Sequence, residues 1–286
     1  MSASRGARPS LRGAVDSAID ALYGTVPTVV EDAVVTLARE LSRTIPVPRY
    51  DPYFGLDRVG ASSLRLLERL TRHGDFRRYV FVLDAGCGLG SAARWLALRY
   101  GCRVLALDVC HAQSAAAGRL SRRARLAGRV TAVTGNFETV PVRDGVFTQI
   151  WSVEALHHAW DRGRALAELF RVLRPGSPLA LQEVVRSAAA VPSMGGPWRH
   201  GTVEDYLEAL HAAGFRDVDH EDVTAERPET SPVILAAATS LERLLAERLA
   251  PDAGWWRAVQ QAQRAAEIVG GPDYRIVHFF ARRPSV

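Results

Sequence analysis

From Tyr79 onward the chain alternates short apolar runs with stretches of helical periodicity. Tyr79–Leu83 (Tyr-Val-Phe-Val-Leu) is a β-forming run of the kind a central parallel strand needs. Cys102–Leu107, Val130–Thr134, Gln149–Val153 and Leu179–Val184 read as strands two to five. Helical patterns at Ser91–Tyr100, His111–Ala127 and Gly163–Leu173 fall between them. Thr202-Val203-Glu204-Asp205 caps a further helix running to Ala213, and Phe215–Val223 and Ile276–Ala281 fit strands six and seven. Regular alternation of strand and helix implies an α/β doubly wound, Rossmann-like sheet.

Two segments depart from that rhythm. Residues 1–75 are mostly helical in pattern: Gly13–Tyr23, a helix opened by a capping box at Thr28–Glu31, and Gly60–His73, with a proline-rich interruption at Ile45–Gly55. Their apolar stripes are narrow and need a partner, so they read as a lid segment rather than a free-standing domain. The second segment, about 228–272, lies between strands six and seven and reads as two helices. It carries Leu241, Leu244, Leu245 and Leu249, then Trp255, Trp256, Val259 and Ala262, as a cap over a ligand edge would. Residues 76–286, with this insertion, form the main domain.

Composition adds exclusions more than directions. The 286 residues are 48% apolar and 23% charged, enough for a sizeable core. The net charge of +5 comes from arginine, because the chain has no lysine; lysine Schiff-base chemistry is excluded. The arginines are interspersed with acids, so no basic stripe marks a nucleic-acid surface. Cys87, Cys102 and Cys110 cannot all pair and lack metal spacing, which fits a reduced cytoplasm. No run approaches the roughly 18 apolar residues of a membrane span, and Met1–Arg12 lacks the apolar core of a targeting signal.

The chemistry concentrates after the first strand, at Asp84-Ala85-Gly86-Cys87-Gly88-Leu89-Gly90. Glycines there let the backbone press against a ligand at a strand's carboxyl end, beside a helix N-terminus. The spacing is G-x-G-x-G, one residue shorter than the dinucleotide fingerprint. Asp84, two residues before the first glycine, would repel a pyrophosphate and suit a cationic ligand carrying an ammonium and a sulfonium. Asp108 ends strand two roughly 20 residues beyond the glycines, where an acid can accept from both ribose hydroxyls; the alternative role is a helix N-cap.

With four motifs in order, the stretch from about Tyr79 to His220 resembles the class I S-adenosylmethionine-dependent methyltransferases, and within them the small-molecule enzymes related to the tocopherol and sterol methyltransferases. The motifs are Asp84–Gly90, Leu107-Asp108, Phe147–His158 ending in Trp-Ser-Val-Glu-Ala-Leu-His-His, and Leu173-Arg174-Pro175-Gly176. The resemblance implies a seven-stranded sheet of order 3-2-1-4-5-7-6 with strand seven antiparallel, and S-adenosylmethionine as cofactor. It implies that Gly86, Cys87 and Gly88 border the methionine part with Asp84 near its ammonium, and that Asp108 holds the ribose. It further implies Asn136 at the adenine edge, Phe137 on its face, and Trp151 and Ser152 near the amino-acid end. Two departures stand out: the family usually has Asp where Asn136 sits, and often has Asp where Thr148 sits.

Methyl transfer from a sulfonium is an in-line displacement, and an O–H or C–H acceptor also needs a base. Glu154, His157 and His158 are the candidates, at spacings of three and four that would share a helical face; the alternative for either His is packing or capping. Glu-x-x-His-His is not a metalloprotease order, so no metal is expected. Aromatic candidates for the acceptor wall are Tyr50, Tyr53, Phe54, Trp198, His200, Trp255 and Trp256; Tyr53, Trp198 and His200 are taken as substrate-binding. Asp51-Pro52-Tyr53-Phe54 faintly resembles a nucleic-acid methyltransferase motif, but the prolines around it preclude an interior strand. The expectation is a cytoplasmic methyltransferase of specialised metabolism acting on a small molecule at carbon or oxygen rather than nitrogen. No nucleic-acid or membrane partner is expected, and a homo-oligomer is open. Its rivals are a cyclase of the same fold that does not methylate, a nicotinamide oxidoreductase, and a non-enzymatic regulatory subunit.

Overall fold

The computed structural model describes residues 24, 26–44, 52–53, 56–57, 64–188, 198–226 and 271–285. The expected helix at Gly13–Tyr23, most of Ile45–Gly55 and the cap insertion with Trp255 and Trp256 lie outside them. Elements are numbered here in chain order. Helices are α1 Val26–Thr44, α2 Leu64–Leu70, α3 Ser91–Tyr100, α4 His111–Arg123, α5 Arg162–Val172 and α6 Val203–Ala212. Strands are β1 Phe81–Ala85, β2 Arg103–Asp108, β3 Val130–Thr134, β4 Gln149–Val153, β5 Pro178–Arg186, β6 Arg216–Asp222 and β7 Tyr274–Arg282.

One seven-stranded sheet runs β3-β2-β1-β4-β5-β7-β6. β7 is antiparallel to both β5 and β6, and the pairs from β3 to β5 are parallel. The order is the one the resemblance implies. β1 is central and covered on both faces, so successive side chains feed opposite cores. Leu83 and Ala85 join Phe147, Leu166, Leu169 and Phe215 on one side. Val82 joins Trp95, Leu96 and Trp151 on the other. Chain order reverses at β1, flanked by β2 and β4, and the crevice that positions the site opens at the carboxyl ends of these strands.

Boundaries differ from the sequence reading where burial decides them. β1 starts at Phe81, not Tyr79, because Tyr79 sits in a turn with 89% of its surface exposed. α1 starts at Val26, with Pro27 in its first turn, so Thr28 lies inside the helix rather than at its N-cap. Glu31 is instead buried against Arg119, whose Nε donates to it at 2.7 Å. A capping box does form at Thr202: Asp205 N donates to Thr202 Oγ1, and Asp205 Oδ2 accepts from Thr202 N.

The N-terminal segment shares a core with the sheet domain. Val30, Val34, Leu37 and Ala38 of α1 pack with Tyr53 and Leu56 onto Leu89, Ala116 and Leu120. Tyr53 Oη donates to Leu120 O at 2.9 Å, and Asp57 pairs with the buried Arg94 of α3.

Candidate active site

The turn after β1 is held open by the end of β2. Gly86 N and Cys87 N both donate to Leu107 O, at 2.8 and 2.9 Å. Gly88 N donates to Asp108 Oδ2 at 2.8 Å, and Cys110 N to Asp108 Oδ1 at 2.9 Å. Asp108 therefore ties the glycine turn to the residue that precedes α4. Gly86 has φ +81°, and a Cβ there would stand 2.2 Å from Ala155 Cβ. At Gly88, φ is +53° and an added Cβ would meet nothing within 4 Å, so bare main chain faces open space.

That space is a cavity walled by Asp84, Gly86, Cys87, Gly88 and Leu89, by Asp108 and Phe137, and by Val153, Glu154, Ala155 and His158 past β4. Asp57 of the N-terminal segment adds a wall. Asp84 is 1% exposed, and its Oδ2 has no hydrogen-bond partner among the described residues. Burial, with the charge of Asp108, pushes its carboxyl up to about 7. A desolvated acid with an orphaned oxygen, beside a side-chain-free turn and a second acid, Asp108, fits a ligand that carries a cation and hydroxyl donors. S-adenosylmethionine meets that description. Burial pushes the Cys87 thiol well above its usual range, so this cysteine is a wall and not a nucleophile.

Several sequence expectations are relocated. Phe137 lines the cavity, but Asn136 does not: its Oδ1 accepts from Glu138 N at 2.7 Å and closes a local turn. Trp151 and Ser152 sit on β4, buried on both faces, and are drawn into the core. Trp151 packs against Phe76 and Trp95, at ring distances of 5.7 and 6.2 Å, and Ser152 Oγ donates to Ala85 O at 2.8 Å. Tyr53 is spent on α4, as above. Trp198 and His200 stand nearer: the Trp198 ring is 6.5 Å from that of His158, and the His200 ring stacks 4.7 Å from that of His157.

The shared helical face of Glu154, His157 and His158 is not formed. Glu154 is left-handed, with φ +52°, and only Leu156–His158 make a single 3-10 turn. The two histidines consequently diverge. His158 lines the cavity; His157 lies behind it, ring centroids 4.2 Å apart, with its Nδ1 3.0 Å from Glu183 Oε2. Glu183 of β5 is fully buried. Its Oε1 accepts from Ala155 N and Leu156 N, and its Oε2 also accepts from Tyr206 Oη. Burial pushes the His157 imidazole well down and the Glu183 carboxyl up. Three donors, Ala155 N, Leu156 N and Tyr206 Oη, hold Glu183 as an acceptor, so neutral His157 carries its proton on Nδ1 and its lone pair on Nε2.

Glu183 is a candidate site residue that the sequence reading missed. Its signal was the pair Gln182-Glu183 inside a run that otherwise reads as a buried strand, where a charge needs a partner. Among the described residues, no three His, Cys, Asp or Glu side chains are grouped to hold a metal, and no helix is long and apolar enough to cross a membrane.

Comparison with known proteins agrees with this geometry. A family model described as a methyltransferase domain matches residues 83–181. The chain is 30% identical to the O-methyltransferase resE of Aspergillus sclerotiorum over 182 residues, 59% of this chain and 67% of that one. It is 28% identical to the methyltransferase GfsG of Streptomyces halstedii over 80% of this chain and 83% of that one. A glycine/sarcosine/dimethylglycine N-methyltransferase of Actinopolyspora halophila is 28% identical, and the chain spans 34% of its length. Among solved structures, the [4+2]-cyclase SpnF superposes with a TM-score of 0.64 at 29% identity, covering 78% of this chain and 82% of that one. Sheet order, glycine turn, buried acid and matched family together lead to one assignment: the chain belongs to the class I S-adenosylmethionine-dependent methyltransferases.

Proposed function

We propose that this protein methylates a small molecule at an oxygen, or at an acidified carbon, in specialised metabolism. The observation that carries the reading is the buried His157–Glu183 pair behind the cavity wall. A neutral amine needs no base to accept a methyl group; an O–H or C–H acceptor does. When bound, S-adenosylmethionine supplies an electrophilic methyl group on a positively charged sulfur. Asp84 and Asp108 fix the cofactor at its cationic and ribose parts, and the glycine turn admits it closely. Glu183 fixes the His157 tautomer and ring plane; on this reading the acceptor enters past His158, which stands between His157 and the cavity, and His157 Nε2 takes the proton that leaves it as the new bond forms. Trp198 and His200 stand beside the histidine pair, and on this reading they shape the acceptor site.

The test is incubation with methyl-labelled cofactor and a panel of phenols, sugars and polyketide-like alcohols, followed by mass spectrometry. Label in an O- or C-methylated product supports the reading. Label that accumulates only in methylated amines overturns the choice of acceptor atom. A second reading has one specific support, the likeness to a cyclase at 29% identity. Substrate conversion that leaves no label in the product would establish that reading instead.

A further inference from the structure

A polar row crosses the apolar sheet next to the cavity. The register sets Val153 of β4 beside Gln182 of β5, Gln182 beside His278 of β7, and His278 beside Glu221 of β6. Gln182 and His278 are both fully buried, in strands whose other positions there are mostly apolar. Buried polar side chains of this kind are tolerated when hydrogen-bonded. Gln182 Nε2 donates to Glu154 Oε1 at 2.8 Å, and Gln182 Oε1 lies 3.0 Å from His278 Nε2.

The direction of the chain follows from its end. A carboxylate only accepts, so the amide nitrogen of Gln182 must face Glu154 and its oxygen must face His278. His278 then carries its proton on Nε2, and in the neutral ring Nδ1 is bare. His278 Nδ1 is indeed buried without a partner among the described residues. Burial lowers the imidazole to about 4, which keeps it neutral. Donation therefore runs one way, from His278 through Gln182 to Glu154.

Gln182 grips Glu154 twice, because Glu154 N also donates to Gln182 O at 2.7 Å. This holds Glu154 in a left-handed conformation that residues with side chains rarely adopt. Glu154 lines the cavity next to Ala155, the residue that abuts Gly86. Glu154 thus joins Asp84 and Asp108 as a third acid on the glycine-turn side of the cavity.

We propose that Gln182 and His278 are positioning residues that hold the Glu154 carboxylate toward the sulfonium end of the cofactor, so that the site tells the cationic donor from its neutral thioether product. This rests on the reading of the cavity as an S-adenosylmethionine site. Loss of the sulfonium charge on methyl transfer weakens the attraction to Glu154 and favours release of S-adenosylhomocysteine.

The test is calorimetric binding of S-adenosylmethionine and S-adenosylhomocysteine to the full chain and its variants, without turnover. Glu154→Gln should lower the donor-to-product affinity ratio about tenfold, and Gln182→Leu at least threefold, while product affinity stays within twofold. His278→Phe should follow Gln182→Leu, and His278→Asn, which keeps an N–H donor, should restore the ratio. An unchanged ratio in Glu154→Gln, or equal losses for both ligands in Gln182→Leu, overturns the proposal. If Gln182→Leu does not fold, the His278→Phe and His278→Asn pair decides: equal ratios in the two overturn the positioning role. A wild-type chain that binds neither ligand removes the cofactor reading itself and this proposal with it.

Discussion

His157 Nδ1 stands 3.0 Å from Glu183 Oε2, joining the turn after β4 to the neighbouring strand β5. Both side chains are almost wholly buried, so the contact is unscreened by solvent. Removing the base should be costly. His157→Ala is expected to lower kcat by about 10²–10⁴-fold with cofactor affinity unchanged. Glu183→Gln, which keeps the shape and loses the acceptor charge, should fall between that variant and wild type. Steady-state kinetics on any acceptor found in the labelling screen checks both; wild-type turnover in His157→Ala removes the base from the mechanism.

The pH profile carries a sign. His157 acts as a base only when neutral, and burial lowers its pKa. At saturating cofactor, kcat should therefore stay level as pH falls through 6.5 and drop only in more acidic solution. An acid limb at or above 6.5 would point to a different base.

Cofactor affinity should respond in another range. Asp84 is raised to about 7, so below that pH it is protonated and offers no charge to a cation. The dissociation constant for S-adenosylmethionine is expected to rise as pH falls through 7, by up to about tenfold per unit. Asp84→Asn should weaken binding and flatten this dependence in titrations between pH 6 and 8.

Asp108 has two duties, which different variants separate. Asp108→Ala removes acceptors from both Gly88 N and Cys110 N, so it should loosen the turn as well as the ribose site. Cofactor binding should weaken by about 1–3 kcal/mol. Asp108→Asn keeps one oxygen acceptor and should retain more thermal stability than Asp108→Ala. An unchanged dissociation constant in both would leave Asp108 as a cap alone.

His278 links stability to acid. Its folded pKa is lowered to about 4, against about 6.5 for an unfolded histidine. Its neutral form is at no disadvantage above pH 6.5, and stability is lost progressively as pH falls from 6.5 toward 4. The loss is on the order of 3 kcal/mol. Melting curves at pH 7.5 and 5 should show it, and His278→Phe should lose less stability over the same interval.

The Arg94–Asp57 pair ties the N-terminal segment to α3, and both side chains are buried. Asp57→Ala removes the buried carboxylate that pairs with Arg94 beside the glycine turn, where Arg94 Nη1 donates to Leu89 O. Destabilisation of about 3–5 kcal/mol is expected, measurable by denaturant unfolding. A near-neutral change would mean that water reaches Arg94.

By itself the sequence determined the sheet and the residues that gather at the glycine-turn end of the cavity. Those depend on local pattern: apolar runs long enough for buried strands, glycines where the backbone must turn with positive φ, and acids at strand ends. Asp84, Gly86, Gly88 and Asp108 all reach the cavity because a strand's carboxyl end has one place to go in this sheet. Tertiary structure decided what sequence spacing could not. Glu154, His157 and His158 looked like one helical face, yet a left-handed Glu154 breaks the helix and sends His157 toward Glu183, 26 residues away. Trp151 and Ser152 read as site residues but belong to the core, because β4 is covered on both sides. Glu183, Gln182 and His278 became functional candidates only once β4, β5 and β7 lay side by side. Which buried polar groups meet across strands is set by register between distant segments, and no local period encodes it.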